Sequence, residues 1–195
     1  MEALAVPTFI VALAEIGDKT QLLALLLAAR YRRPWPIIWG IVVATLANHA
    51  AAGLLGNIVS DLLSPVMLRW ILALSFALVA VWTLIPDRLD DDDARLGRAY
   101  GPFLATLIAF FIAEMGDKTQ VATVMLAAQY PQLILVVIGT TLGMLIANVP
   151  VVLASHFAAD RLPLTLIRRI AAAAFAVLAI YAAYEAVSMS GIVSS

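Results

Sequence analysis

Two nearly identical octapeptides, AEIGDKTQ at residues 14–21 and AEMGDKTQ at residues 113–120, interrupt stretches that are otherwise apolar. Each octapeptide carries two carboxylates, one lysine and one glycine. A single Asp or Lys at the centre of a membrane helix costs about 2.5–3.5 kcal/mol, so these charges must be paired, hydrated or turned towards a cavity. These two octapeptides therefore constrain both the fold and the function of the chain.

The composition is that of a membrane protein. Of the 195 residues, 64% are hydrophobic and 13% are charged, and the mean hydropathy is +1.00. A bilayer core about 30 Å thick needs roughly 20 apolar residues in a helix. Continuously apolar runs at 22–29 and 171–183 do not fit the alternating strands of a membrane barrel. The sequence predicts an all-α integral membrane protein in contact with lipid, and its net charge of −1 gives no indication of nucleic-acid binding.

Charged residues and prolines divide the apolar sequence into six predicted transmembrane helices. Stretches such as RYRRPWP at 30–36 combine both features at points where helices are expected to stop. The longest polar stretch, with four consecutive aspartates, predicts a charged cytoplasmic linker at 87–101 between three-helix units at 1–86 and 102–195. The six predicted helices cover residues 4–29, 36–59, 66–86, 102–128, 132–157 and 166–188.

The two units are copies of one another. A shift of 99 residues aligns the octapeptides, and 11 of 18 positions are identical over residues 14–31. The same shift aligns Gly40 with Gly139, and RWILALSFALVA with RRIAAAAFAVLA in the third helix of each unit. When one unit crosses the bilayer three times, the next must start on the opposite side. The sequence therefore predicts two inverted three-helix repeats.

Basic residues indicate the orientation of these repeats. The connections after the first, third and fifth helices hold nine arginines, whereas the opposite side holds only Arg69. Because cytoplasmic loops carry the excess of basic residues, we expect these connections in the cytoplasm and both termini outside it. The nine residues are Arg30, Arg32, Arg33, Arg88, Arg95, Arg98, Arg161, Arg168 and Arg169.

The charges at membrane depth allow two interpretations. In the first, the glutamate of each octapeptide pairs with the lysine four residues later, which leaves both aspartates without a cation. In the second, all the charges form one site: four carboxylates and two ammonium groups leave a net charge of −2, which one divalent cation neutralises. Oxygen ligands suit Ca²⁺, Mg²⁺ and Mn²⁺, and the absence of cysteine excludes thiolate ligands. The residues concerned are Glu15, Asp18, Lys19, Glu114, Asp117 and Lys118.

The glycines and threonines of the octapeptides also have two interpretations. Gly17 and Gly116 either permit close helix packing or break the helix and expose carbonyl groups towards a cation. In an unbroken helix, Thr20 and Thr119 point about 140° away from the glutamates. We therefore expect hydroxyl groups bonded back to their own helix, and direct ligands only where the helix is unwound.

Other polar residues are predicted to support the site. Gln21 and Gln120 extend the polar edge of the first and fourth helices. Asn48 and Asn148, on the second and fifth helices, are expected to form hydrogen bonds between helices, with cation ligation as the alternative. His49 is expected to be a packing residue with satisfied hydrogen bonds, and the alternative is a proton acceptor.

Both octapeptides resemble the EXGDKT or EXGDKS signature that occurs once in each half of a family of small cation/proton exchangers. This family, uncharacterised protein family 16, includes Golgi manganese and calcium transporters and bacterial manganese exporters. The resemblance covers the whole chain: six spans, two copies and a charged central loop. It implies export of Mn²⁺ or Ca²⁺ from the cytosol of a bacterium across its plasma membrane, in exchange for protons. It also implies that Glu15, Asp18, Glu114 and Asp117 bind the cation and couple the protons.

A mechanism compatible with this resemblance is competition between protons and the cation for the same carboxylate oxygens. The first and fourth helices would meet near the midplane, and the site would open alternately to the two sides. The alternatives are a cation channel without proton coupling and a structural membrane subunit. An enzyme is not expected, because no nucleophile lies beside a histidine within the membrane. No cofactor is expected other than the transported ion, and the sequence leaves open Mn²⁺ against Ca²⁺ and a homo-oligomeric state.

Overall fold

The computed structural model describes residues 1–85, 101–154 and 164–190, and this part of the chain is helical apart from short connections. The prediction of an all-α protein is confirmed. The predicted linker at 87–101 lies outside the described residues except for Gly101. Eight helices occur in the described residues: α1 (Glu2–Glu15), α2 (Lys19–Tyr31), α3 (Pro34–Leu62), α4 (Pro65–Thr83), α5 (Pro102–Glu114), α6 (Lys118–Gln129), α7 (Leu133–Leu153) and α8 (Leu164–Met189).

Four of these helices are long and apolar enough to cross a membrane, namely α3, α4, α7 and the Arg169–Met189 part of α8. Their outer surface is apolar, since the side chains of Leu74 on α4 and Val177 on α8 are both 63% exposed. Trp35 and Trp39 are exposed near the start of α3, a position typical of the aromatic belt at a membrane surface. Lipid can cover such a surface, whereas water would disfavour it.

The predicted first and fourth spans are each broken in the middle by an octapeptide. α1 and α2 lie on either side of Gly17, and α5 and α6 lie on either side of Gly116. The two glycines have φ angles of 82° and 75°, in the left-handed region that residues with a Cβ rarely adopt. A Cβ added at Gly116 would meet no atom within 4 Å, so close packing does not explain this glycine. The helix break, which the sequence left open as one of two interpretations, is therefore present in both predicted spans, at 4–29 and 102–128.

The duplication extends to the packing between helices. α5 packs against α3, and a Cβ added at Gly40 would lie 2.8 Å from the carbonyl oxygen of Phe103. α1 packs against α7, and a Cβ added at Gly139 would lie 2.6 Å from the carbonyl oxygen of Leu4. A shift of 99 residues relates both partners of the two contacts. The helix before the break in one copy, α1 or α5, therefore packs against the long second-span helix of the other copy, α7 or α3.

The third helices of the two copies also pack together. α4 lies along α8, and the rings of Phe76 and Phe175 stack with their centroids 6.4 Å apart. These two buried phenylalanines are again related by a shift of 99 residues. The two copies thus interleave, and the broken helices lie among helices of both copies.

Candidate cation site

The two helix breaks place the charged residues of the octapeptides at helix ends. Glu15 and Glu114 are the last residues of α1 and α5. Asp18 and Asp117 directly precede α2 and α6. In each break the backbone N–H of the aspartate donates to the carbonyl oxygen of the glutamate three residues earlier, at 3.1 and 3.2 Å. The break therefore brings both carboxylates of one octapeptide to the same turn.

The glutamines stabilise these turns. The backbone N–H of Gly17 donates to Oε1 of Gln21 at 2.9 Å, and Gly116 donates to Oε1 of Gln120 at 2.7 Å. Gln21 also donates from Nε2 to the carbonyl oxygen of Ala147 on α7, at 3.0 Å. A glycine in the left-handed conformation leaves its N–H outside the helical hydrogen-bond pattern, and the amide oxygen satisfies it. The glutamines of the predicted polar edge thus stabilise the breaks.

Three carboxylates from both copies form a compact cluster. Glu15, Glu114 and Asp117 each contribute one oxygen atom to a group in which all the oxygens lie within 4.8 Å of one another. The two glutamates are fully buried, and Asp117 is 2% exposed. Among the described residues, no hydrogen-bond donor reaches Oε1 of Glu15 or Oε1 of Glu114. Buried carboxylate oxygens without donors are a costly arrangement that either protons or a cation would relieve.

The threonines bind the glutamates directly. The Thr20 hydroxyl donates to Oε2 of Glu15 at 2.6 Å, and the Thr119 hydroxyl donates to Oε2 of Glu114 at 3.0 Å. The expectation that these hydroxyls bond back to their own helix is wrong, because it assumed an unbroken helix in which they point away from the glutamates. Each threonine donates to Oε2 of its glutamate, and Oε1 has no donor within the described residues.

The lysines pair across the two copies and with the aspartates. Nζ of Lys118 lies 2.8 Å from Oδ1 of Asp18, and Nζ of Lys19 lies 3.7 Å from Oδ1 of Asp117. The first interpretation, in which the aspartates lack cations, is not supported, because each aspartate has the lysine of the other copy as a partner. The helix break lies between glutamate and lysine, so the spacing of four residues no longer places them side by side.

The asparagines and the histidine differ from one another. Asn48 donates from Nδ2 to the carbonyl oxygen of Phe111 on α5 at 3.0 Å, as expected for a bond between helices. Asn148 instead donates to the carbonyl oxygen of Met144 within α7, so the expected bond between helices is wrong for this residue among the described contacts. His49 is fully buried, and neither ring nitrogen has a partner within the described residues. The expectation of a satisfied packing histidine is therefore wrong.

Another ion pair lies outside the cluster. Nη1 of Arg69 on α4 lies 3.0 Å from Oε2 of Glu185 on α8, and the Tyr181 hydroxyl donates to Oε1 of Glu185 at 3.2 Å. This pair links the third helices of the two copies. It accounts for the one arginine predicted on the outer side and for the glutamate near the end of the sixth predicted span.

Sequence reasoning missed the carbonyl groups of Phe111 and Ala147, which accept the bonds of Asn48 and Gln21. Main-chain acceptors leave no signal in residue type. It also missed the pairing of each lysine with the aspartate of the other copy. The repeat was the available signal, because two copies of one turn that lie together can place the lysine of each beside the aspartate of the other.

Comparisons with known proteins identify the family of this chain. The family model described as "Divalent cation/proton antiporter GDT1" matches residues 3–91 and again residues 102–190, which confirms the duplication. A protein of Vibrio cholerae serotype O1, named "Putative manganese exporter", is 57% identical over 185 residues, covering 94% of this chain and 92% of that protein. A GDT1-like protein of Synechocystis is 27% identical over 176 residues, covering 78% of this chain and 82% of that protein.

No solved structure matches the chain. The two matched ranges each contain one octapeptide, and together they account for nearly the whole sequence. The sequence resemblance is confirmed: this chain belongs to the GDT1 family of divalent cation/proton antiporters.

Proposed function

We propose that this protein exports Mn²⁺ from the cytosol in exchange for protons and accepts Ca²⁺ at the same site. The observation that carries the proposal is the cluster of Glu15, Glu114 and Asp117, whose oxygens lie within 4.8 Å of one another in a buried position between the two copies. The name of the Vibrio cholerae relative supports manganese as the principal substrate. The oxygen donors are of the kind that Mn²⁺ and Ca²⁺ prefer.

Coupling follows from competition for the same oxygens. The four carboxylates and two lysines of the octapeptides carry a net charge of −2 when all are ionised. One divalent cation or two protons would neutralise this charge, whereas both together would leave an excess of positive charge in a buried site. Binding of one is therefore expected to release the other. Exchange of one cation for two protons would then be electroneutral.

We further propose the membrane arrangement in which the site works. The pairs α1–α2 and α5–α6 each cross the bilayer as one broken span, which gives six spans in two inverted repeats, at 1–86 and 102–195, joined by a cytoplasmic linker. Both termini would lie outside the cytoplasm of a bacterial plasma membrane. The ion pair of Arg69 with Glu185 supports this orientation, because it neutralises the one arginine that the positive-inside rule places outside.

Alternating access would carry the cation across. Broken helices that meet near the midplane are typical of transporters built from inverted repeats, in which one bundle rocks against the other around a fixed site. Gln21 joins the first break to α7, and Asn48 joins α3 to α5 three residues before Glu114. We propose that the cation is bound by Glu15, Glu114 and the two aspartates, with the threonines, glutamines, lysines and asparagines in support.

A channel would use the same acidic residues without coupling, and transport by purified protein in liposomes separates the two functions. We expect Mn²⁺ uptake to require an opposing proton gradient and to be accompanied by proton movement out of the liposomes. A pH-sensitive dye inside the liposomes measures that proton movement. Ca²⁺ should be taken up in the same way, and Mg²⁺ more slowly because it gives up its water reluctantly. Mn²⁺ uptake without proton movement would contradict exchange and support a channel.

The substitution Glu114→Gln tests the site itself. It keeps the shape of the side chain but removes the charge, so both cation uptake and proton movement should fall to background. Glu2→Gln is the matched control, because Glu2 is exposed at the start of α1 and should leave exchange unchanged. Exchange at the normal rate in Glu114→Gln, with both variants monodisperse after purification, would refute the proposed site.

A further inference from the structure

The two copies differ in how their charges are held, although the octapeptides are nearly identical. The pair of Lys118 and Asp18 is short, at 2.8 Å, and its side chains are 3% and 0% exposed. The pair of Lys19 and Asp117 is longer, at 3.7 Å, and the Lys19 side chain is 21% exposed. One aspartate is therefore held tightly by the lysine of the other copy, and the second aspartate is held loosely.

The carboxylate cluster shows the same asymmetry. Asp117, the loosely held aspartate, is the one that joins Glu15 and Glu114 within 4.8 Å. Asp18 directs Oδ1 to Lys118 instead. A tight, charge-assisted hydrogen bond occupies a carboxylate lone pair and fixes its direction, so it competes with any cation for that oxygen. The composition of the cluster thus follows from which lysine holds its aspartate tightly.

We propose that the two lysines act as alternating locks. In the conformation described here, Lys118 withholds Asp18, and the cation is bound by the two glutamates with Asp117. In the conformation open to the other side, Lys19 withholds Asp117, and Asp18 joins the glutamates. The lysines are positioning residues in this scheme, and the inference deepens the proposed function on which it depends.

The inverted repeat supplies the physical reason. When two copies of a repeat exchange their conformations, the protein passes from facing one side of the membrane to facing the other. Contacts that differ between the copies are then expected to exchange as well, and the lysine–aspartate pairs are the charged contacts of the site that differ. The glutamates each accept a hydrogen bond from a threonine, Thr20 or Thr119, and keep their roles in both conformations. The Thr119 hydroxyl also lies 3.4 Å from Oδ2 of Asp117.

Removing one lock should favour the conformation that depends on the other lock. We therefore expect Lys118→Met and Lys19→Met to shift the balance between the two conformations in opposite directions. Each shift should be about tenfold or more, because each substitution removes one charge-assisted hydrogen bond or ion pair from one conformation only. A lysine that merely neutralises the site or supports folding would affect both conformations alike.

Transport from each side gives the first measurement. Inside-out membrane vesicles expose the cytoplasmic face and right-side-out vesicles the outer face, and the apparent KM for Mn²⁺ is measured in both. We expect the ratio of the two KM values to rise in one variant and fall in the other. Lys118→Arg and Lys19→Arg keep the charge and should stay near the wild-type ratio. A change in the same direction for both Met variants would overturn the proposal.

Thiol labelling gives a second measurement that does not depend on transport. The chain has no cysteine, so Thr8→Cys on α1 and Leu107→Cys on α5 are single reporters at positions related by 99 residues. Both residues are half-buried, two turns before the glutamates. A water-soluble maleimide should label one reporter faster and the other more slowly in Lys118→Met, with the reverse in Lys19→Met. Equal changes in labelling rate at both reporters would refute the locks, whether or not the protein transports a cation. Failure of the wild-type protein to transport any cation would instead refute the proposed function.

Discussion

The glycine at the second helix break offers a clean test, because its conformation and its surroundings make separate demands. Gly116 has φ 75°, and a Cβ added there would meet no atom within 4 Å. The substitution Gly116→Ala therefore creates no clash, and its whole cost arises from placing a residue with a Cβ in the left-handed region. That cost is about 1–2 kcal/mol. For a chain of this size, each kcal/mol lowers the unfolding temperature by about 2–4 °C.

Gly101 is the matched control. A Cβ added at Gly101 also meets no atom within 4 Å, but its φ is −65°, which alanine adopts without strain. Thermal unfolding of the purified protein should show a lowered midpoint for Gly116→Ala and an unchanged midpoint for Gly101→Ala. Gly116→Asn should recover part of the loss, because asparagine tolerates the left-handed region better than alanine does.

Equal midpoints for Gly116→Ala and Gly101→Ala would refute the reasoning, because the break would then not depend on a left-handed residue. A loss well above 2 kcal/mol would refute it in another way, since it would indicate steric contact at a position that the structure leaves open. Mn²⁺ uptake should fall in the alanine variant along with stability, because a residue that drives the break back towards helix moves the carboxylates of the turn apart.

Three further predictions concern the site. Thr119→Val removes the hydroxyl that donates to Glu114 and should raise the KM for Mn²⁺ by about tenfold or more. Thr123→Val is the control and should leave the KM unchanged, because Thr123 donates only to a main-chain carbonyl on its own helix. His49→Leu should leave the unfolding temperature unchanged or raise it, because it removes two buried nitrogens without partners in the described residues, and a fall of several degrees would contradict this. Exchange of one Mn²⁺ for two protons should be insensitive to an imposed potassium-diffusion potential, and acceleration by that potential would contradict the charge count.

Much of the fold followed from composition and from the repeat. The length of the apolar stretches requires helical spans. The repeat also identifies Gly40 and Gly139 as equivalent positions, and in the structure both lie close to a main-chain carbonyl oxygen of the other copy. The grouping of carboxylates also followed, since buried charge in lipid needs a partner and each octapeptide is the best match for the other. These inferences depend on the cost of placing unpaired backbone groups or charges in lipid, and that cost does not depend on the detailed conformation of the chain.

The details of the site were less accessible because they depend on one torsion in each copy. Angles around an ideal helix place Thr20 far from Glu15, yet its hydroxyl lies 2.6 Å from a carboxylate oxygen of that residue. A left-handed glycine between them turns the chain and replaces helical spacing with the geometry of a turn. For the same reason, the lysines pair with the aspartates of the other copy and not with the glutamates four residues earlier. Sequence reasoning offered the break as an alternative but had no means of following its consequences for neighbouring side chains.

The breaks also explain why each octapeptide has a glutamate before its glycine and an aspartate after it. Glu15 and Glu114 lie at the C-terminal ends of helices, where the partial charge of the backbone is negative, and the aspartates lie at N-terminal ends, where it is positive. The helix end therefore stabilises a negative side chain at the position of each aspartate and disfavours one at the position of each glutamate. A cation is favoured at the glutamates. In the proposed mechanism, the start of the following helix therefore stabilises a negative charge on each aspartate, whereas the end of the preceding helix favours a bound proton or cation at each glutamate.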